Sequence, residues 1–266
     1  MSGLVSIVPA AGLGSRLGSI PCSKEIMPLG FRTEKRLQHG GQWEPITAIE
    51  THLLGHQAAG VERCCIVIGP SKHDIVEYLG NGSRLGLSLT YLYQQRLRGM
   101  PFALDLARPW IDQATVLFSM PDTLITPTDA FSRLAKQHRS GRADVTLGLF
   151  NTETPEKFGM IQLDAEGQPV DFIDKPKKTD LQLMWGMAIW SPTFTTFMSE
   201  YLEQLPEGGP ECVLSDVFLA ALREGGLALD ACVFSDGRYH DIGTPESFQA
   251  AVFELALLQA NTPDLG

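Results

Sequence analysis

The stretch from Leu4 to Leu29, LVSIVPAAGLGSRLGSIPCSKEIMPL, constrains this chain more than any other. Val5, Ile7 and Val8 are β-branched and apolar, as in a short strand buried on both faces, and small residues and glycines follow at once. The pattern predicts a strand feeding a loop. Gly12 and Gly14 are expected to allow positive φ and leave the backbone bare, so that consecutive N–H groups can turn toward one anion. Arg16 and Lys24 add cations to the same segment. Such a loop suits a polyphosphate, because phosphoryl chemistry is mostly positioning and charge neutralisation. Two other glycine loops do not fit. A dinucleotide fingerprint would need a glycine where Leu17 stands, and a P-loop would need its lysine before the hydroxyl residue, whereas Lys24 follows Ser23.

The rest of the chain is long enough to build a full core around this loop. At 266 residues and 44% hydrophobic content, one large α/β domain is the natural count. The formal net charge of −10 argues against nucleic acid or an anionic membrane surface as partner, so an anionic ligand must be met by a local basic cluster. No apolar run approaches a membrane span and no signal-like start is present, so a cytoplasmic protein is expected. The five cysteines form neither a disulfide framework nor a C-x-x-C pattern, and Cys64 and Cys65 read as buried strand thiols.

Strand and helix patterns alternate along the chain, which implies a parallel sheet. Pro45 is expected in the first turn of a helix carrying Ile46, Ile49, Leu53 and Leu54, Ser71 to cap the next helix, and Ser215 or Asp216 to cap a later one. Thr115 to Phe118 reads as a buried strand, with Asp122 just past its carboxyl end, where ligands gather in open α/β sheets. An acid there can hold a hard divalent cation such as Mg²⁺ between phosphate oxygens. Two alternating runs around Ala165-Glu166-Gly167 predict a hairpin that ends in Asp174-Lys175-Pro176.

The segments AGLGSRL and SKEIMPL, in that order, resemble the nucleotide-binding signature of the sugar-1-phosphate nucleotidylyltransferases, the glucose-1-phosphate thymidylyltransferase and uridylyltransferase group. The resemblance spans nearly the whole chain. It implies that Ala11, Gly12, Gly14 and Arg16 hold the triphosphate and that Lys24 contacts the reacting phosphates. It implies that Gln94 and Gly99 meet the base, and that Gly159, Asp174, Lys175 and Gly186 meet the sugar phosphate. It also implies that Asp122 and Asp241 share Mg²⁺, with Arg16, Lys24 and Lys175 as the catalytic cations. Four departures stand out: Phe102 where a glutamine is usual, Asp174 where glutamate is commoner, Gly208-Gly209-Pro210 in place of an arginine, and an extra stretch at 31–44 expected as a loop or hairpin. They leave the base and the acceptor open.

The implied fold is one α/β domain, a mainly parallel twisted sheet flanked by helices, Rossmann-like. Residues 1–151 would form a nucleotide-binding half and 152–266 a smaller, hairpin-bearing sugar-phosphate half with a closing helix. The implied reaction joins a nucleoside triphosphate, dTTP or UTP, to a sugar-1-phosphate and releases pyrophosphate. The alternatives are cytidylyl or other transfer to a different phosphorylated acceptor, or a non-catalytic binding subunit. No nucleic-acid or membrane partner is expected, and assembly into a homo-oligomer is left open.

Overall fold

The computed structural model describes residues 3–33, 43–111 and 113–261. The elements run β1 (Leu4–Ala10), β2 (Pro28–Thr33), β3 (Trp43–Thr47), α1 (Ala48–Ala58), β4 (Arg63–Ile68), α2 (His73–Leu79), β5 (Ser88–Tyr93), α3 (Met100–Asp105), α4 (Arg108–Ile111), β6 (Thr115–Ser119) and β7 (Thr123–Thr126). They continue with α5 (Ala130–Ser140), β8 (Val145–Asn151), β9 (Gly159–Leu163), β10 (Pro169–Asp174), β11 (Leu183–Trp190), α6 (Pro192–Glu203), α7 (Leu214–Arg223), β12 (Leu229–Phe234), β13 (Arg238–Asp241) and α8 (Pro245–Asn261).

β1 lies inside the sheet, parallel to β4 on one side and to β6 on the other, and β5 extends the parallel set beyond β4. The chain therefore builds outward from β1 to β5 and then returns to the opposite edge of β1. That reversal opens a crevice at the carboxyl ends of β1 and β6, the place where such sheets bind ligands. Next to β6 runs β11, antiparallel; β11 shares one edge between β6 and β9, while β8 and then β12 follow on the other. The hairpin of β9 and β10 thus hangs from the same strand that borders β6.

Side chains alternate along β1 into two cores. Val5 and Ile7 pack with α3, α6 and α7 on one face, while Val8 and Ala10 pack with α1, α2 and α5 on the other. A third cluster joins the β2–β3 hairpin to α8 through Leu29, Ile46, Ala251 and Leu255. The tryptophans of β11, Trp185 and Trp190, are core residues. No described helix is long and apolar enough to cross a membrane.

Three local expectations are corrected. Pro45 is not in a helix: it pairs with Phe31 in the β2–β3 ribbon, and α1 starts later, capped by the Thr47 hydroxyl on the Glu50 N–H. The arms of that ribbon are the described parts of the extra stretch, and 34–42 lie outside the described residues. Ser71 is not a cap, since α2 begins from Lys72 and Ser71 itself has φ +65°. α7 likewise starts from Val213 without a side-chain cap, and Ser215 turns inward to accept the Trp185 indole N–H at 2.9 Å.

Candidate active site

The loop after β1 and the turn after β6 open side by side onto two joined chambers. One, of about 400 Å³, is lined by Ala11, Gly12, Gly14, Lys24, Gln94 and Gly99. The other, of about 200 Å³, is lined by Gly159, Asp174, Lys175, Trp185, Tyr239 and Asp241. Arg16, Met100, Met120, Asp122 and Glu211 border both. Residues that are scattered in sequence, from Ala11 to Asp241, therefore meet around one cleft.

Two short segments bring the aspartates together. β7 and β13 pair antiparallel with Thr123 opposite Asp241, and the Ile242 N–H donates to the Asp122 carbonyl at 3.0 Å. Asp122 begins the turn into β7, so one ribbon delivers both carboxylates to the crevice. Each carries a cation. Lys24, a residue only 8% exposed, bonds through its ammonium to Asp122. The Arg16 guanidinium stands 3.6 Å from Asp241, whose other oxygen accepts the Gly243 N–H at 2.8 Å.

The charges are unevenly balanced. Burial raises the Asp241 carboxyl above its ordinary value and the nearby Asp122 charge raises it further, against the opposing pull of Arg16, the Gly243 N–H and Lys24. Burial alone would lower Lys24, but the charge and hydrogen bond of Asp122, with Glu25 and Asp241 behind them, outweigh it and hold the ammonium above its usual value. Two hard carboxylates, near enough that one raises the proton affinity of the other, suit a divalent cation such as Mg²⁺. Among the described residues no group of three or more His, Cys, Asp or Glu side chains could hold a metal, so further ligands would have to be phosphate oxygens and water.

The glycine loop differs from expectation at one position. Gly14 takes φ +66° and packs against the stem of Lys24, whereas Gly12 is not in the left-handed region and simply leaves open space. Gly99 combines φ +109° with the Cys212 carbonyl lying where a side chain would begin. It forms a bridge to Cys212 that ties the loop after β5 to the segment before α7. Gln94, buried at the end of β5, lines the larger chamber. Lys175, at φ +45° and largely exposed, projects beside Asp174 with 3.9 Å between their charged groups. Gly186 is buried in β11 behind the Tyr239 ring and does not line the cleft.

Sequence reading missed two wall residues. Glu211 borders both chambers, and its position between Pro210 and the core residue Cys212 gave no periodic signal. Tyr239 lines the smaller chamber with its hydroxyl buried and, among the described residues, without a hydrogen-bond partner. His240, next to it, is half-buried and held below its ordinary value chiefly by burial.

The sequence profile of the nucleotidyl transferase family matches residues 6–256. This chain is a member of that family. The nucleotidyl transferase is 27% identical to the low-salt glycan biosynthesis nucleotidyltransferase Agl11 of Haloferax volcanii, over 92% of this chain and 64% of that one. It is 31% identical to the mannose-1-phosphate guanylyltransferase of Mycobacterium tuberculosis, over 81% of this chain and 58% of that one. It thus spans less than two thirds of the length of either relative. Its fold superimposes with a TM-score of 0.81 on a Bacillus anthracis structure assigned as a glucose-1-phosphate thymidylyltransferase, at 21% identity and 94% coverage of both chains.

Proposed function

We propose that this nucleotidyl transferase joins a nucleoside triphosphate to a sugar-1-phosphate, giving a nucleoside diphosphate sugar and pyrophosphate. The observation that carries the proposal is the convergence of Lys24, Asp122, Arg16 and Asp241 at the junction of the two chambers. The larger chamber has the bare backbone of Ala11–Gly14 for phosphates and buried Gln94 with Gly99 for a base. The smaller has Gly159, Asp174 and Lys175 for an acceptor.

In this reading an oxygen of the acceptor phosphate attacks the α-phosphorus in line. The new P–O bond forms as the bond to the bridging oxygen breaks, and that electron pair leaves on pyrophosphate. The acceptor is already an anion, so no residue has to take its proton. Lys24 neutralises charge on the reacting phosphates, Arg16 on the departing pyrophosphate, and Lys175 holds the acceptor phosphate. Mg²⁺ bound by Asp122 and Asp241 would supply further charge neutralisation on the phosphate oxygens. The proposed location is the cytoplasm, where the triphosphates are made.

dTTP or UTP is the favoured donor, because Gln94 and Gly99 resemble the base contacts of the thymidylyl and uridylyl group. GTP is the second reading, favoured by the 31% identity to a guanylyltransferase. Pyrophosphate release measured with dTTP, UTP, CTP or GTP, Mg²⁺ and a panel of sugar-1-phosphates tests both. Release with one donor and acceptor is expected; none with any pair refutes the proposal.

A further inference from the structure

Of the cations lining the two chambers, Lys24 is the one taken almost wholly out of solvent; the Arg16 and Lys175 side chains are each 61% exposed. A lysine stem has several rotatable bonds, and fixing its ammonium on one carboxylate requires the backbone beneath it to be held. Lys24 sits in a single 3₁₀ turn, Lys24–Ile26, closed by the Ile26 N–H on the Ser23 carbonyl at 3.0 Å and the Met27 N–H on the Lys24 carbonyl at 3.2 Å. One isolated turn is a weak support by itself.

The residues on either side of Lys24 are anchored to one short stretch, the connection between β4 and α2 and the first turn of α2. The Ser23 N–H donates to Asp74 Oδ2 at 2.6 Å, and its hydroxyl donates to Asp74 Oδ1 at 2.7 Å. Glu25 accepts the Lys72 ammonium at 2.7 Å, and this pair is buried, with side chains only 2% and 7% exposed. An ion pair so deep gains little stability over apolar residues of the same volume. Ser71, just before Lys72, has φ +65°, a conformation that serine rarely adopts and that persists only where surrounding contacts enforce it. At the other end of the connection, Gly69 packs its backbone on Ala11 of the glycine loop.

We propose that residues 69–74 are a positioning brace for the active site, in which Asp74 and Lys72 hold Ser23 and Glu25 and thereby fix Lys24 against Asp122. The inference rests on the reading of Lys24 as the contact to the reacting phosphates. Asp74 and Lys72 touch no substrate in this scheme; they act through Lys24.

A double-mutant cycle distinguishes this role from general support of the fold. Asp74→Ala is expected to lower kcat for pyrophosphate release by about 10- to 100-fold, the scale of a misplaced catalytic group, with a smaller effect on KM. In a Lys24→Ala background the same substitution should cost less than about twofold, because the group it positions is already gone. Equal losses in both backgrounds, or no loss in the parent, would overturn the proposal. Asp74→Asn, which keeps one acceptor oxygen, replaces Asp74→Ala if that variant does not fold, with the same comparison applied. A second readout needs no turnover: in nucleotide-free protein, amide hydrogen exchange at Ser23, Ile26 and Met27 should accelerate in the Asp74 variant relative to the parent. Unchanged exchange there also overturns the brace. If the parent releases no pyrophosphate with any substrate pair yet exchange accelerates, the catalytic reading has failed and the brace stands.

Discussion

Replacing Gly99 with alanine tests whether the loop after β5 is held in solution as it is here. The native φ of +109° with ψ +166° lies in a region open essentially to glycine alone, and placing another residue there costs about 1–3 kcal/mol. The added Cβ would stand 2.1 Å from the Cys212 carbonyl oxygen, far inside contact distance, so the two segments must also separate. That separation breaks the Gly99–Cys212 bridge and the bond from the Cys212 N–H to the Arg98 carbonyl, 3.3 Å long. A total near 3 kcal/mol, at roughly 2–4 °C per kcal/mol for a domain of this size, lowers Tm by about 6–12 °C. Thermal unfolding of ligand-free protein measures it directly, and KM for the triphosphate should rise because the chamber wall moves. A Tm within about 2 °C of the parent would refute the reasoning, since one kcal/mol alone should be visible.

Three further predictions follow from the same charges and buried groups. Asp122→Asn or Lys24→Met should lower pyrophosphate turnover by roughly 10²–10³-fold, on the scale of a removed charge-stabilising contact; parental rates would mean these groups do not face the reacting phosphates. Asp241 is raised in the folded state, so the native protein binds more protons than the unfolded chain above the ordinary carboxylate range, and stability falls as pH rises through that window. Asp241→Asn should therefore raise Tm of ligand-free protein at neutral pH while removing Mg²⁺-dependent stabilisation, and a lower Tm would contradict it. His52, buried in hydrogen bonds to Ser119 and Thr123, is lowered to about 4 from 6.5, mainly by burial. Protonating it in the fold costs about 3 kcal/mol more than in the unfolded chain, a penalty absent above pH 6.5 that destabilises the fold progressively as pH falls toward 4; in His52→Gln, Tm should fall less steeply over that interval, as followed by calorimetry.

What could be read from residue order was local or carried by motif. The apolar run at Val5–Val8 followed by small residues is a complete local instruction, and β1 with its loop appears where the pattern puts it. Asp122 could be placed because strand-end acids depend only on finding β6. Pro45 misled because its N–H-free backbone suits an edge ribbon as well as a helix start, and only its partner Phe31 decides. Ser71 misled because a hydroxyl before a helical pattern suggests a cap, whereas its φ of +65° leaves no trace in the sequence pattern and α2 begins from Lys72. The Glu25–Lys72 pair and the chain from His52 through Ser119 to His56 left no trace in periodicity, because each is assembled across strands and helices distant in sequence.

The ribbon of β7 and β13 has a consequence for how the enzyme comes into being. Its two strands lie far apart in sequence, so a growing polypeptide carries the glycine loop, Lys24 and Asp122 long before it carries Asp241. A chain grown only through the parallel strands around β1 still lacks one of the two acids proposed to share the cation. In the proposed reading the two acids stand together only once β13 has closed on β7.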